Sequence, residues 1–253
     1  MFPVLLRLGP FTLYSYGLML ALGFLAAVRV AGRRTASLGL SPSAVQKAAW
    51  VSLLAGIAGA RLAYVLLQWN LFRDNLWEIF RLDHGGLVFY GGLAGGLLGG
   101  MVSVRRAGLP LMKTADLLVP PLVLAHAIGR IGCFLNGCCY GKPASVPWSA
   151  AFPSDGIPRH PTQLYESAFL FLLFFVLVKI PLSFPRRRES QEAGLIPPPG
   201  TVLLTYGFLY GIWRFGVEFL RGDSPAFAAG LTIFQWVSLP LALVCGWLLC
   251  RRS

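Results

Sequence analysis

Apolar residues fall in seven blocks along the chain, about 14–32, 46–67, 86–104, 115–135, 164–182, 200–220 and 231–250, parted by joints rich in charge, glycine and proline. Each block is close to the roughly 20 residues that carry a helix across about 30 Å of hydrocarbon. The pattern predicts an all-α integral membrane protein, a seven-transmembrane-helix bundle with one membrane domain over 1–253. The first block is a retained helix rather than a leader: Arg29, Arg33 and Arg34 follow its apolar run, whereas only Arg7 precedes it. In the third block Gly91-Gly92, Gly95-Gly96 and Gly99-Gly100 repeat a small-xxx-small spacing, which lets helix backbones approach closely. There is no internal repeat.

Composition agrees with the pattern. Hydrophobic residues make up 56% of the chain and charged residues 13%, about half the charged share of a soluble domain. That excludes an ordinary water-soluble globule and a disordered chain. The net charge of +12, from 22 Lys and Arg against 10 Asp and Glu, is explained by where the cations fall. With seven spans, one side of the membrane receives Arg29, Arg33, Arg34, Lys47, Arg105, Arg106, Lys113, Lys179, Arg186, Arg187, Arg188, Arg251 and Arg252. The positive-inside rule makes that side cytoplasmic, with the C-terminus on it and the N-terminus in the periplasm. Topology therefore absorbs most of the basic excess, and no nucleic-acid partner is implied.

Two joints stand out under this orientation. Residues 136–163, with Gly137, Gly141, Pro143, Pro147, Trp148, Pro153 and Pro158, form a long periplasmic loop or cap. Residues 184–199, charged and then proline-rich, form a flexible cytoplasmic loop.

Four arginines are not needed for topology: Arg61, Arg130, Arg214 and Arg221, in or at the ends of spans, with Glu218 beside them. An arginine at the bilayer centre costs from about 3 to over 10 kcal/mol, so such residues face the bundle interior and mark a site. The alternative is snorkelling from a helix end, most applicable to Arg221. All four belong to the outer half of the membrane and together imply an anionic ligand, a phospholipid headgroup.

The densest run is His126-Ala-Ile-Gly-Arg130-Ile-Gly132-Cys-Phe-Leu-Asn136-Gly137-Cys-Cys-Tyr-Gly141. It resembles the signature of the prolipoprotein diacylglyceryl transferase family, Gly-Arg-x-Gly-x-Phe-x-Asn-Gly with a downstream glycine. Other segments resemble the family in order: Tyr16-Gly17-Leu18-Met19, Gly59 to Leu66, Gly85 to Leu93, Arg159-His160-Pro161-Thr162-Gln163-Leu164-Tyr165-Glu166, and Tyr210, Arg214, Glu218 and Arg221 with the family's spacing. The resemblance covers nearly the whole chain.

It implies a multi-pass enzyme of the bacterial inner membrane with its site toward the periplasm. Such an enzyme transfers the diacylglyceryl group of phosphatidylglycerol to the lipobox cysteine in the signal peptide of a preprolipoprotein, the first step of lipoprotein maturation. The products are a thioether and glycerol-1-phosphate, and neither cofactor nor metal is implied. On this resemblance Arg130, Arg214, Tyr90 and Tyr16 are the catalytic candidates. Arg130, Arg214, Glu218, Tyr210, Arg61, Arg221, Asn136 and Gly141 are the substrate-binding ones. The residue types suit the chemistry: cations hold a departing phosphate, Glu218 one turn from Arg214 orients it, and Tyr210 donates to the headgroup.

This chain departs from the family at three positions, with Tyr90 for a histidine often proposed as base, Cys133 for an asparagine and Cys138 for a glutamate. A phenol of pKa about 10 removes a proton poorly from a thiol of about 8.5 unless nearby arginines lower it. His126 lies on the Arg130 face one turn deeper, either as base or as a packed, hydrogen-bonded residue; His160 and His84 are the other histidines. Two different readings stand beside the enzyme: a non-catalytic or altered-acceptor phospholipid-binding paralogue, and a small transporter.

Of the five cysteines, Cys245 and Cys250 read as apolar packing. Cys133, Cys138 and Cys139 face an oxidising compartment, which allows a disulfide from Cys133 to Cys138 or Cys139. Their spacing matches no standard zinc pattern. A covalent thiol intermediate is a third reading.

Overall fold

A computed structural model describes all residues except 10, 39–40, 82–84, 153–155, 183–196 and 253. The described residues form seven α-helices, α1 Ser15–Ser37, α2 Pro42–Leu67, α3 Phe89–Arg106, α4 Leu111–Asn136, α5 Thr162–Lys179, α6 Thr201–Val217 and α7 Ile233–Cys250. Each coincides with one apolar block. Most of the 184–199 connection lies outside the described residues, as does His84.

The fold is not helical throughout. Three two-stranded antiparallel sheets occupy joints: β1 Val4–Leu8 with β2 Phe11–Tyr14, β3 Ala150–Ala151 with β4 Pro158–Arg159, and β5 Ala226–Ala228 with β6 Leu231–Thr232.

Helices α1, α2, α4, α5 and α7 are long and apolar enough to cross a membrane. Glycine and its terminal arginines dilute the hydropathy of α3. The 17 residues of α6 rise only about 26 Å, short of the hydrocarbon thickness. Side chains such as Leu54, Leu62, Leu66, Leu172, Phe175, Val237, Leu243 and Trp247 are more than half exposed. In water such a surface would aggregate; against lipid tails it costs nothing, and the backbone is satisfied inside each helix. The chain is a multi-pass helical membrane protein.

It divides into two compact units, Ala31–Thr114 and the remainder, Met1–Val30 with Ala115–Ser253. In Ala31–Thr114 the helices α2 and α3 meet backbone to backbone. A Cβ on Gly59 would overlap the Gly91 carbonyl, one on Gly95 would overlap that of Ala55, and Gly56 faces the Gly92 carbonyl at 3.3 Å. Ser52 Oγ crosses the same seam and donates to Gly96 O at 2.7 Å. The small-xxx-small repeat is thus a packing surface.

In the other unit Val119, Val123, Ala127, Leu170, Leu173, Leu177 and Val202 form the core. One face of α5 explains the division of labour: Gln163, Glu166, Leu170, Leu173 and Leu177, three or four residues apart, are all buried. The first turns of this face are polar and the rest apolar, so α5 carries a site above and a core below. Gly200, at φ 94°, begins α6 without a side-chain cap. Asp116 of α4 supplies it, accepting from Gly200 N at 2.6 Å and Leu203 N at 2.9 Å, where a carboxylate also complements the helix dipole. At its far end α4 closes in a Schellman turn, with Cys138 N donating to Cys133 O and Gly137 N to Phe134 O. Gly137, at φ 77°, takes the left-handed position that this turn requires.

Candidate active site

The end of α4, the start of α5, the end of α6 and the start of α7 converge on a buried cluster of charges. Glu166 is its hub, with a side chain only 2% exposed. Its Oε1 accepts from Arg130 Nη2 at 2.9 Å and from the Tyr210 hydroxyl at 2.8 Å, and stands 3.7 Å from His126 Nε2. Its Oε2 stands 3.6 Å from Arg214 Nη1. Arg214 reaches a second carboxylate, Glu218 Oε2, through Nη2 at 2.9 Å, and its guanidinium lies 4.7 Å from the Phe234 ring centroid. Thr232 Oγ1 donates to Glu218 Oε1 at 3.0 Å while also capping α7 in a box with Gln235.

Arg221 completes the cluster. It stands 3.8 Å from Glu218 and forms a two-point pair with Asp223 at 2.9 and 2.8 Å. It is buried, so the snorkelling alternative does not describe it. Burial alone would lower its pKa; the Asp223 pairing outweighs that and raises it above the ordinary arginine value.

The cluster corrects the expectation of unmatched cations. Three arginines face three carboxylates, Glu166, Glu218 and Asp223, so no net positive charge calls for an anion. What the cluster offers is unused donors. Arg130 Nε and Arg214 Nη1 are buried without a hydrogen-bond partner among the described residues, and a buried guanidinium donor left without an acceptor is costly. Glu218 orients Arg214 as its spacing suggests. Tyr210, expected to serve a headgroup, donates to Glu166 instead. Glu166 and Asp223 were given no role by the sequence reading.

In the joint after α4, Phe152 is fully buried against the rings of Phe134 and Tyr140. The segment through Gly141 threads between two others: Gly141 N donates to His160 O, Lys142 N to Leu220 O and Gly222 N to Tyr140 O. A Cβ on Gly141 would lie 2.6 Å from His160 Cβ and 2.8 Å from Leu220 O. Gly141 is therefore required by close backbone approach. His160 Nδ1 lies 3.2 Å from the Tyr165 hydroxyl, which accepts from Trp148 Nε1 at 2.7 Å.

A family model described as prolipoprotein diacylglyceryl transferase matches residues 3–251. The chain belongs to the prolipoprotein diacylglyceryl transferase family. It is similar to proteins named phosphatidylglycerol--prolipoprotein diacylglyceryl transferase from several bacteria. The relative from Clostridium tetani is 37% identical over 94% of this chain and 92% of its own length. That from Bordetella parapertussis is 36% identical over 95% and 91%, and that from Chloroflexus aggregans 33% over 94% and 84%.

The remaining expected site residues of this diacylglyceryl transferase homologue divide between its two units. Tyr16 lies in the first turn of α1, packed against Gly132 of α4. Asn136 is the last residue of α4, with its side chain near Cys138. The thiols of Cys133, Cys138 and Cys139 are free, so the disulfide that the sequence allows is not formed.

Tyr90 and Arg61 lie in the Ala31–Thr114 unit. Tyr90, on the first turn of α3, is 61% exposed and meets Phe89 edge to face. Arg61 is 7% exposed, and all its N–H groups are used: Nε donates to Ile79 O, Nη1 to Gly85 O and Gly86 O, and Nη2 to Glu78 O and Arg81 O. This corrects its expected contact with a headgroup. Arg61 is a clasp for the carbonyls of Glu78, Ile79, Arg81, Gly85 and Gly86, and the two glycines, with φ 73° and 78°, let the chain turn theirs inward. Arg61→Ala is expected to lower thermal stability and expose residues 76–81 to protease, while the KM for lipid in the folded fraction stays within about twofold, because no lipid contact is removed.

Proposed function

We propose that this chain moves the diacylglyceryl group of phosphatidylglycerol to the lipobox cysteine of a prolipoprotein. The single observation that carries this reading is the pair of buried, unused donors, Arg130 Nε and Arg214 Nη1, set in one ion cluster. Phosphate oxygens are acceptors of the kind that these donors lack. In the reaction the substrate thiolate attacks the glyceryl carbon that bears the phosphate, and a C–S bond forms as the C–O bond breaks. The electron pair stays on the phosphate oxygen, glycerol-1-phosphate departs, and the thiol proton is lost beforehand because thiolate is the nucleophile. Arg130 and Arg214 hold the phosphate and match the charge gathering on its leaving oxygen. Glu166 holds Arg130 and Glu218 holds Arg214, each through the Nη2 of the guanidinium.

The same reading gives the chain seven spans, with α3 and the short α6 crossing beside the five longer helices. It places the N-terminus and the site on the periplasmic side of the bacterial inner membrane and the C-terminus in the cytoplasm, as the distribution of Lys and Arg supports.

A catalytic Tyr90 would act through its hydroxyl. Tyr90→Phe is expected to abolish transfer to a lipobox peptide in a membrane assay; retained transfer would leave Tyr90 as a lipid-facing ring of α3. The test of the function as a whole is rescue of a bacterial strain depleted of its own transferase. Rescue by the wild type and not by Arg130→Ala supports the reading. Failure of a correctly inserted wild type to rescue favours a phospholipid-binding relative with another acceptor or none.

A further inference from the structure

Cys133, Cys138 and Cys139 place their Sγ atoms within 4.8 Å of one another. The backbone brings them together. Cys133 sits in the last turn of α4, and the Schellman turn at Gly137 folds Cys138 back over it. Cys139 follows at φ 62°, a conformation seldom taken by any residue but glycine and a mark of local constraint. Two buried side chains of α5 hold this arrangement. Gln163 Nε2 donates to Cys138 O at 2.6 Å, and Thr162 Oγ1 to Cys139 O at 3.0 Å. The thiols are therefore gathered by the fold and not by a bond between sulfurs.

Three converging thiols suit one ligand chemistry better than others. A disulfide would use two sulfurs and leave the third. No carboxylate or imidazole joins the trio among the described residues, so the four donors that structural zinc requires are not assembled. Thiolates select soft ions, Cu(I) among them, and a d10 monovalent ion accepts three sulfurs in a plane.

We infer that Cys133, Cys138 and Cys139 form a three-coordinate site for a soft monovalent metal ion of the Cu(I) or Ag(I) class. Binding exchanges S–H for S–metal bonds, with the protons released to solvent and no change of oxidation state. The inference does not rest on the transferase reading.

The test uses the full-length protein in detergent under anaerobic conditions, with Cu(I) supplied from a chromogenic chelator such as bathocuproine disulfonate. The expected result is withdrawal of one Cu(I) per chain, with Cys133, Cys138 and Cys139 protected from maleimide. Cys139→Ser and, separately, Cys133→Ala should each weaken uptake by about tenfold or more, the scale at which even outer-shell partners of a metal act. Cys245→Ser and Cys250→Ser should leave it unchanged. Each variant is first shown to elute as folded protein, so loss of uptake is not loss of fold. Three outcomes would overturn the inference: no Cu(I) taken from the chelator, uptake that survives both cluster variants, or a disulfide from Cys133 to Cys138 or Cys139 in the protein as isolated.

Discussion

Arg130→Ala should lower kcat/KM for diacylglyceryl transfer by about a hundredfold or more, the scale seen when one donor to developing negative charge is removed from a preorganised site. The side chain is held by one hydrogen bond to Glu166, leaving Nε unused. Its removal takes away a donor for the phosphate without stranding Glu166, which keeps Tyr210 and Arg214. The variant should therefore fold. Arg130→Lys keeps the charge but loses the planar fork, so an intermediate rate is expected. The check is glycerol phosphate release by each variant at matched levels of inserted protein. A rate within a few-fold of wild type for Arg130→Ala would remove Arg130 from the chemistry.

Glu166→Ala should be more damaging to the protein than to any single contact. Glu166 is buried and holds Arg130, Arg214 and Tyr210 at once. Deleting one partner of a buried ion pair costs about 3–5 kcal/mol because the opposite charge remains buried, and here two guanidinium groups are left. Thermal unfolding in detergent should show a large fall in Tm together with loss of transfer. Glu166→Gln keeps an acceptor for Arg130 and Tyr210 and loses only the charge, so its stability should lie between the two. A Glu166→Ala variant as stable as wild type would contradict the hub described here.

The helices were readable because each apolar block of about 20 residues has one physical use. The α2–α3 seam was readable too, since repeated glycines announce close backbone approach. Arg61 and Glu166 mark where reading along the chain stops. Arg61 looks like Arg130 in sequence, a cation among small residues, yet one meets backbone carbonyls from 78–86 and the other a carboxylate on α5. Only the fold decides the partner. Glu166 had a signal that counting cations overlooked. Asp116, Glu166 and Glu218 are carboxylates within apolar blocks, and all three prove to be buried partners. The thiol cluster was hidden because its geometry comes from a turn and two α5 side chains, not from ligand spacing.

On the proposed function this chain breaks the bond between the glyceryl carbon and the phosphate of phosphatidylglycerol and joins that carbon to a cysteine thiol. The most direct measurement is reconstitution of the purified protein in phosphatidylglycerol vesicles with a lipobox peptide, scoring both products. One glycerol-1-phosphate should be released for each peptide converted to its thioether, and neither product should form with Arg130→Ala. Phosphatidylglycerol bound by the wild type, with no glycerol-1-phosphate and no modified peptide, would contradict it.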